Sequence, residues 1–293
     1  MKFDPLLKKC PLCDSTSISL KYNIIQSHSF NVYECQSCLF IFMNPAFSDT
    51  FIASLYSDDY YSGKADYSYI DERDNHKFNS YVWKARIKKI HKYKKSGTFL
   101  DIGCSFGGLL SSAQKYYDVY GVEISDFASK YCESINMKVH KGTLNDAPFK
   151  ENSFDVITMI ELIEHIKDPV NFIKKTASIL KPGGLCVIQT ADMGAFQAVS
   201  QAQNYHYFLP GHLSYFTACN LSSLLTKSGF TNIKIYRPVD FGLIPKLRKS
   251  RGQFKNFKDY KRWLTIAKYH FLGYFKKKGR PMTSSMVIYA FKK

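Results

Sequence analysis

Short apolar runs alternate with helix-like segments through the middle of the chain. The runs are short enough for buried strands, and between them apolar residues recur at helical spacing. Such alternation implies an α/β fold, in which a parallel sheet carries helices on both faces. The pattern predicts strands at 98–102, 118–122, 137–140, 154–160 and 185–190, and helices at 107–117, 125–135 and 169–180.

The same pattern continues on both sides of this region. Residues 76–94 predict an amphipathic helix, and 218–228 predict a helix that ends at Gly229. Strands are expected at 231–236 and 285–291. The apolar face of the first helix would be formed by Phe78, Val82, Ile87 and Ile90.

A glycine-rich turn follows the strand at 98–102, which carries Asp101 near its end. Glycines let a backbone turn sharply and approach a ligand closely, and the next helix directs its free N–H groups into that gap. Glu123 ends the following strand, where a carboxylate can accept both hydroxyls of a ribose. The glycines of this turn are Gly103, Gly107 and Gly108.

Two further motifs narrow the choice of ligand. Glu164-His165 follows the strand at 154–160, and Leu180-Lys-Pro-Gly-Gly184 leads into the strand at 185–190. A dinucleotide site is one alternative, but it favours G-x-G-x-x-G where this chain has G-x-S-x-G-G. A glycine turn without any ligand is the other, and it leaves the position of Glu123 unexplained.

Together these motifs resemble those of class I S-adenosylmethionine-dependent methyltransferases, over residues 76–240 and the final strand. The resemblance implies a Rossmann-like seven-stranded sheet whose last strand is antiparallel. It also implies that Glu123 binds the ribose and that the segment 142–144 meets the adenine. This chain departs from the family at Ser105, where a glycine is common. The implied cofactor-binding residues are Asp101, Gly103, Ser105, Gly107, Glu123, Thr143, Leu144 and Ile160.

Two C-x-x-C pairs stand near the N-terminus, with twenty-one residues between them. Two such knuckles can direct four thiolates at one ion, so a small zinc ribbon with a structural Zn²⁺ is expected at residues 1–45. Disulfides are the alternative, although a cytoplasmic enzyme would keep these thiols reduced. The expected ligands are Cys10, Cys13, Cys35 and Cys38.

A tyrosine-rich connector at 46–75 separates the ribbon from the methyltransferase domain at 76–293. A short helix capped by Ser48 is expected at its start, followed by tyrosines that could contact a ligand or pack between domains. Candidates for a catalytic base are the connector tyrosines and three histidines, because imidazole titrates near neutral pH. They are Tyr60, Tyr61, His165, His206 and His212, of which His212, His165 and Tyr61 are preferred.

His212 lies in Gly-His-Leu-Ser-Tyr-Phe-Thr. This segment resembles the Glu-His-x-x-x-Phe-[Ser/Thr] stretch of zinc-ribbon-bearing sugar methyltransferases from deoxysugar pathways. In that group a Glu-His pair and a connector tyrosine act on the sugar. Here Gly211 replaces the glutamate, so the carboxylate partner of the pair is missing.

The net charge of +17 is concentrated in one late insertion at 241–282. Thirteen Lys and Arg residues lie between Lys246 and Arg280, against the single acid Asp259. Apolar residues recur among them at helical spacing, so the insertion could lie on an anionic membrane surface or follow a phosphate-rich ligand. It could equally be a lid helix whose lysines cover packing surface. No secretory signal or membrane-spanning run is recognised, so a cytoplasmic location is expected.

These observations favour a methyltransferase that uses S-adenosylmethionine and acts on a small molecule, with a sugar nucleotide or glycan precursor as first choice. The motifs also resemble quinone-pathway O-methyltransferases, which generally lack the ribbon. Ribosomal RNA is a further candidate acceptor, but the ribbon carries four Lys and no Arg, which argues against nucleic acid. A binding module without catalysis is the remaining alternative. Oligomeric state is not indicated.

Overall fold

A computed structural model describes residues 2–55 and 71–293. Its centre is a seven-stranded sheet in the order β10-β13-β8-β7-β4-β5-β6. β13 alone runs opposite in direction to the other six strands, as the resemblance implies. The strands are β4 (Thr98–Ile102), β5 (Asp118–Glu123), β6 (Val139–Lys141), β7 (Phe154–Ile160), β8 (Leu180–Ala191), β10 (Phe230–Tyr236) and β13 (Ser285–Lys292).

Helices cover both faces of this sheet, as the alternating pattern predicts. Apolar residues of the sheet and the helices form two buried clusters, one on each face. The helices are α2 (His76–Ile90), α3 (Gly108–Ala113), α4 (Asp126–Ser134), α5 (Pro169–Ile179), α6 (Phe196–Gln201) and α7 (Ala218–Lys227).

Helix α3 is shorter than the 107–117 predicted from the sequence. The chain leaves the helix after Ala113 and turns so that Tyr117 packs against Phe99, with ring centroids 5.4 Å apart. The Tyr117 hydroxyl then donates a 2.5 Å hydrogen bond to the carbonyl of Lys94. A large buried side chain with a satisfied hydroxyl therefore ends the helix early.

Helix α2 buries a different set of residues from the one predicted. Ile87 and Ile90 are buried as expected, but Phe78 and Val82 are only half-buried. Arg86 is buried instead, because it forms a salt bridge of 3.1 Å with the buried Asp240. A charged side chain is tolerated in such a place only when it has a partner.

The N-terminal strands form a second, antiparallel sheet in the order β1-β2-β3-β9. Strands β1 (Ile18–Ile24), β2 (Phe30–Cys35) and β3 (Ile41–Met43) come from the expected ribbon, whereas β9 (Ser214–Tyr215) belongs to the later chain. Helix α1 (Asp49–Leu55) follows, and the Ser48 hydroxyl accepts the N–H of Phe51 at 3.3 Å, as the capping prediction requires. Tyr60 and Tyr61 lie outside the described residues.

The basic insertion contains helices α8 (Leu243–Ser250) and α9 (Lys261–Leu272) and a small hairpin of β11 (Lys276–Lys277) and β12 (Arg280–Pro281). Within residues 2–55 and 71–293, no helix has the length and apolar character needed to cross a bilayer. The cytoplasmic location stays a prediction.

Candidate active site

The glycine turn lies at the carboxyl end of β4, where left-handed backbone is needed three times. Gly103, Ser105 and Gly107 have φ values of 75°, 48° and 72°. Residues other than glycine rarely adopt such φ values, so the contacts of Ser105 must hold it in this conformation. The holding contact is with Glu123, whose Oε2 accepts the Ser105 N–H at 2.8 Å.

Glu123 is buried at the end of β5, next to the turn. Its second oxygen accepts the Ser125 N–H at 2.8 Å, so both carboxylate oxygens face main-chain donors. Each carboxylate oxygen can accept more than one hydrogen bond, which leaves acceptor capacity for hydroxyls of a ligand. Glu123, the residue predicted to bind the ribose, is therefore hydrogen-bonded directly to the glycine turn.

Two observations on these residues fit a bound S-adenosylmethionine. The buried hydroxyl of Ser105 has no hydrogen-bond partner among the described residues, so a polar group of a ligand could satisfy it. A Cβ at Gly103 would lie 3.0 Å from Leu162, so a side chain there would crowd the space above the turn. The side chains of Ser105 and Glu123 are neutral and anionic, which suits a cationic sulfonium compound.

Asp101 lies beneath the turn and contacts no open space. It is buried, and its Oδ1 accepts the Thr158 hydroxyl at 2.5 Å. Burial raises the pKa of Asp101 to about 7 despite this hydrogen bond. From this position Asp101 can order the turn, whereas a direct contact with the cofactor, as the resemblance implies, would need an open path to it.

The predicted adenine contacts lie on the loop after β6. Leu144 is buried in the core, and the Thr143 hydroxyl donates a 2.6 Å hydrogen bond to Asp146. Across from them, Ile124 is 63% exposed although it directly follows the buried Glu123. An exposed aliphatic side chain beside a ribose-binding carboxylate offers an apolar surface for a flat base. Ile124 was not predicted from the sequence as a functional residue. The usable signal was an apolar residue directly after the acidic end of the strand.

A second group of polar residues lies at the carboxyl end of β7, the strand next to β4. Ile160, the last residue of β7, is half-buried and pairs with Gln189 of β8. Glu161 then adopts a left-handed φ of 52°, and its carboxylate accepts a 2.5 Å hydrogen bond from Gln189. Leu162, which contacts Gly103, follows directly, so this group adjoins the glycine turn.

Tyr207 joins two carboxylates in this group. Its hydroxyl lies 2.5 Å from Oε1 of Glu164 and 3.3 Å from Oε2 of Glu161. Desolvation by the neighbouring side chains and the charge of Glu164 raise the pKa of Glu161, an otherwise exposed residue, to about 7. Burial likewise raises the pKa of Glu164, against the hydrogen bond from Tyr207. Two neighbouring carboxylates with raised pKa values can hold and release a proton near neutral pH.

The two preferred histidines stand together beside these carboxylates. The rings of His165 and His212 have centroids 4.8 Å apart. Each Nδ1 lies 2.8 Å from a main-chain carbonyl, of Gly211 for His165 and of Tyr207 for His212. Since a carbonyl can only accept, each Nδ1 carries the proton. Burial lowers the pKa of His165, and lowers that of His212 well below its usual range. The third histidine, His206, is exposed and packs against Tyr205.

A line of buried polar contacts supports Glu161 from behind. Gln189, which donates to Glu161, accepts a hydrogen bond from Arg86. Arg86 in turn pairs with Asp240, which accepts the Tyr289 hydroxyl at 2.7 Å. From the other side comes Lys246 of α8, whose pKa is lowered to about 8 by burial and by the charge of Arg86. These contacts fix the direction in which the Glu161 carboxylate points.

A metal site is another possible use of this group, because the ligand atoms of Glu164, His165 and His212 lie within 4.8 Å of one another. Two ligands on one Zn²⁺ ion, each at about 2.1 Å, are separated by at most about 4.2 Å. Atoms at the upper end of the observed range would have to move to share an ion. The arrangement as it stands suits proton transfer better.

The four N-terminal cysteines form a compact cluster. Cys10 Sγ lies 3.7 Å from Cys38 Sγ, and Cys13 Sγ lies 3.6 Å from Cys35 Sγ. These separations exceed a disulfide bond of about 2.05 Å. They match four sulfurs around one tetrahedral Zn²⁺, which stand about 3.8 Å apart when each Zn–S bond is about 2.3 Å. The Leu12 N–H also points at Cys10 Sγ at 3.4 Å, as expected for a thiolate held in a knuckle.

Glu161 and Tyr207 were not predicted from the sequence as functional residues. The Glu-x-x-Glu-His spacing of residues 161–165 was a usable signal for Glu161, since it follows a buried strand. Nothing in the sequence singles out Tyr207 from the other aromatic residues of the segment 204–217. Its role depends on tertiary contacts alone.

The fold and the site define a class I S-adenosylmethionine-dependent methyltransferase. A family model described as a methyltransferase domain matches residues 75–235, more than half of the chain, and the chain belongs to this family. Among solved structures, it is similar to phosphoethanolamine N-methyltransferase 2 of Haemonchus contortus. That match has a TM-score of 0.52 and 17% identity, and covers 92% of this chain and 70% of that chain. A likeness at this identity concerns the fold alone.

Curated relatives include ubiquinone biosynthesis O-methyltransferases. The protein of Hydrogenovibrio crunogenus is 28% identical over 53% of this chain and 63% of its own length. That of Coxiella burnetii is 36% identical over 31% of this chain and 42% of its own length. An uncharacterised protein of Methanocaldococcus jannaschii is 25% identical over 55% of this chain and 80% of its own length. The chain thus spans less than two thirds of the named enzymes that it matches.

Proposed function

We propose that this methyltransferase transfers the methyl group to a hydroxyl of a small molecule, with a sugar nucleotide or another glycan precursor as acceptor. One observation carries the proposal: Glu161 is exposed beside the glycine turn, and Gln189 and Tyr207 hold its carboxylate in place. The pKa of this carboxyl is raised to about 7. A hydroxyl acceptor must lose its proton as its oxygen takes the methyl group. A carboxylate with this pKa is matched to that task at neutral pH.

On the donor side, the chain binds and orients. When bound, S-adenosylmethionine supplies an electrophilic methyl group. Glu123 would accept its ribose hydroxyls, Ser105 would offer a hydroxyl to its polar end, and Ile124 would cover the adenine. Most of the rate enhancement in such a displacement comes from positioning.

On the acceptor side, Glu161 would take the hydroxyl proton. Tyr207 and Gln189 hold its carboxylate in place, and Glu164 keeps its pKa high. His212, preferred from the sequence, is the alternative base. Its pKa lies well below the usual range, which makes it a weaker proton acceptor. The neutral His212 instead donates to the carbonyl of Tyr207 and so fixes the loop that carries the phenol.

Two features support a phosphorylated sugar as acceptor. The half-buried ammonium of Lys246 lies near Glu161 and could pair with a diphosphate. The cysteine cluster, proposed here to bind a structural Zn²⁺, is tied to the acceptor side through β9, where Phe42 pairs with Ser214 two residues after His212. A ribbon placed in this way can stabilise the loop that shapes the acceptor cleft.

A quinone-type phenol is the second candidate acceptor. The similarity to ubiquinone biosynthesis O-methyltransferases favours it, and its reaction needs the same base. A phenol is more acidic than a sugar hydroxyl, so it would depend less on Glu161.

A direct assay separates these candidates. The purified full-length protein would be incubated with S-adenosylmethionine and either sugar nucleotides or dihydroxylated aromatic acceptors, and formation of S-adenosylhomocysteine would be measured. Turnover of a sugar nucleotide that falls in Glu161→Gln supports the first candidate. Turnover of a phenol alone favours the second. If both panels stay silent while the protein binds S-adenosylhomocysteine, a small hydroxyl acceptor is excluded.

A further inference from the structure

Several large apolar side chains of the basic insertion are exposed to solvent. Six of the sixteen exposed large hydrophobic residues of the described chain fall within residues 241–282. Exposed apolar residues that occur singly need no explanation, but a group on one surface indicates a binding site. They are Ile244, Phe257, Leu264, Phe271, Tyr274 and Phe275, with exposures from 46% to 87%.

Helix α9 is oriented with an apolar stripe toward solvent. Leu264 and Phe271 are spaced seven residues apart, which places them on one side of α9, and Phe275 follows three residues after the helix ends. We call this side of α9, together with Phe275, the outer face. The rings of Phe271 and Phe275 have centroids 4.8 Å apart. The opposite side faces the protein, where Trp263 donates to Ser250 of α8 and His270 is buried. A surface helix usually shows the reverse arrangement.

Lysines surround the apolar stripe. Lys261 and Lys268 are exposed on α9, and the hairpin that follows adds exposed lysines at 276–278. The only acid of the segment from Lys246 to Arg280 is Asp259, and its carboxylate already accepts the N–H groups of Lys255 and Asn256. The surface therefore combines apolar side chains with nearly uncompensated positive charge.

We infer that this outer face docks on an anionic lipid surface, with the side chains of Leu264, Phe271 and Phe275 in the headgroup region and the flanking lysines on lipid phosphates. Apolar residues in a ring of lysines are the combination that such surfaces bind. A second copy of the chain is disfavoured as occupant because it would place two strongly basic faces against each other. The bases of a nucleic acid could stack on the aromatic rings, but stacking would not involve the aliphatic side chains of Leu264 and Ile244.

The inner side of the same helices faces the acceptor cleft. Lys246 of α8 approaches Glu161, and Arg248 lies over the ring of Tyr81 on α2 at 5.4 Å. Docking through the outer face would therefore leave the cleft next to the lipid surface. The docking itself is independent of which acceptor the enzyme uses.

Sedimentation with vesicles tests the inference on the full-length protein. Vesicles of phosphatidylcholine alone would be compared with vesicles that also contain phosphatidylglycerol. We expect binding to the second kind only, weakened by salt. Leu264→Ser/Phe271→Ser/Phe275→Ser should weaken binding about tenfold or more, and Lys261→Gln/Lys268→Gln should weaken it less and lower the salt dependence.

The matched control is Ile25→Ser, since Ile25 is 87% exposed in the loop between β1 and β2, outside the insertion. It should bind vesicles as the unaltered protein does, and unchanged thermal unfolding would show that each variant is folded. The inference is overturned if the unaltered protein ignores anionic vesicles or if the triple variant still binds them fully. It is also overturned if the triple variant loses self-association or RNA binding while its vesicle binding is intact.

Discussion

The main-chain N–H of Ser105 donates a 2.8 Å hydrogen bond to the carboxylate of Glu123. The residue expected to bind the ribose thus also holds the strained turn that is expected to face the methionyl part of the cofactor. Ser105 has a φ of 48°, a conformation that costs about 1 kcal/mol or more for a residue other than glycine. The geometry of the turn therefore depends on the same buried side chain that is predicted to bind the cofactor.

Replacing Glu123 should weaken cofactor binding strongly. In Glu123→Ala the ribose loses its acceptor, and the N–H groups of Ser105 and Ser125 lose theirs. Hydrogen bonds to a charged group contribute about 1.5–3 kcal/mol, so the Kd for S-adenosylhomocysteine should rise by about tenfold to a hundredfold. Calorimetric titration measures this directly.

Glu133→Ala is the control for that measurement, because Glu133 is exposed on the neighbouring helix α4. It should bind S-adenosylhomocysteine as the unaltered protein does. An equal Kd for Glu123→Ala and the unaltered protein would contradict the assignment of the ribose site.

The activity should depend on the protonation of Glu161. A general base must be deprotonated, so kcat is expected to fall as the pH is lowered through about 7, the pKa of this carboxyl. Glu161→Gln cannot accept the proton, and its kcat should drop by about a hundredfold to ten thousandfold with a flat pH profile. Binding of S-adenosylhomocysteine should be unchanged. A variant that keeps the pH dependence of the unaltered enzyme would assign it to another group, with His212 as the next candidate.

The strands and the glycine turn could be predicted from the sequence because their signals are local. Apolar runs, glycines and the Glu123 position each act over a few residues, and the seven-stranded sheet follows from the resemblance. Arg86 could not be predicted as a buried residue, since its partner Asp240 lies 154 residues away. Glu161 owes its raised pKa first to desolvation in the folded protein and then to Glu164; the Glu-x-x-Glu spacing indicates the second carboxylate but not the desolvation.

The ribbon shows the same limit. Its C-x-x-C pairs indicate four clustered sulfurs, and they are found within bonding range of one ion. The fourth strand of its sheet, Ser214–Tyr215, comes from a part of the chain far later in the sequence than β3, with which it pairs. Long-range strand pairing of two residues leaves no trace in the local pattern.

Zinc should be bound by the four cysteines at one ion per chain. Cys35→Ser removes one thiolate from the buried cluster, so the zinc content is expected to fall and thermal unfolding to shift to lower temperature. Elemental analysis and a thermal melt measure both effects. Cys219→Ser is the control, because Cys219 is exposed and outside the cluster, and it should keep its zinc. Full zinc content in Cys35→Ser would contradict the proposed ligand set.

Breaking the buried pair of Arg86 and Asp240 should destabilise the fold. Their side chains are 5% and 0% exposed, so Arg86→Met would leave an uncompensated buried carboxylate. The expected cost is about 3–5 kcal/mol of unfolding free energy, measured by denaturant titration. Arg86→Met/Asp240→Leu removes both charges and should recover much of that loss, because an apolar pair avoids the desolvation penalty.

The pair of Lys138 and Asp118 offers a matched comparison at the surface. Its atoms are 2.7 Å apart, but the side chains are 58% and 50% exposed, so solvent screens their attraction. Lys138→Met should therefore lower the unfolding free energy much less than Arg86→Met does. If Arg86→Met were no more costly than Lys138→Met, the buried pair would not stabilise the fold. The orientation of the Glu161 carboxylate would then need another cause, because Arg86 donates to Gln189 and Gln189 donates to Glu161.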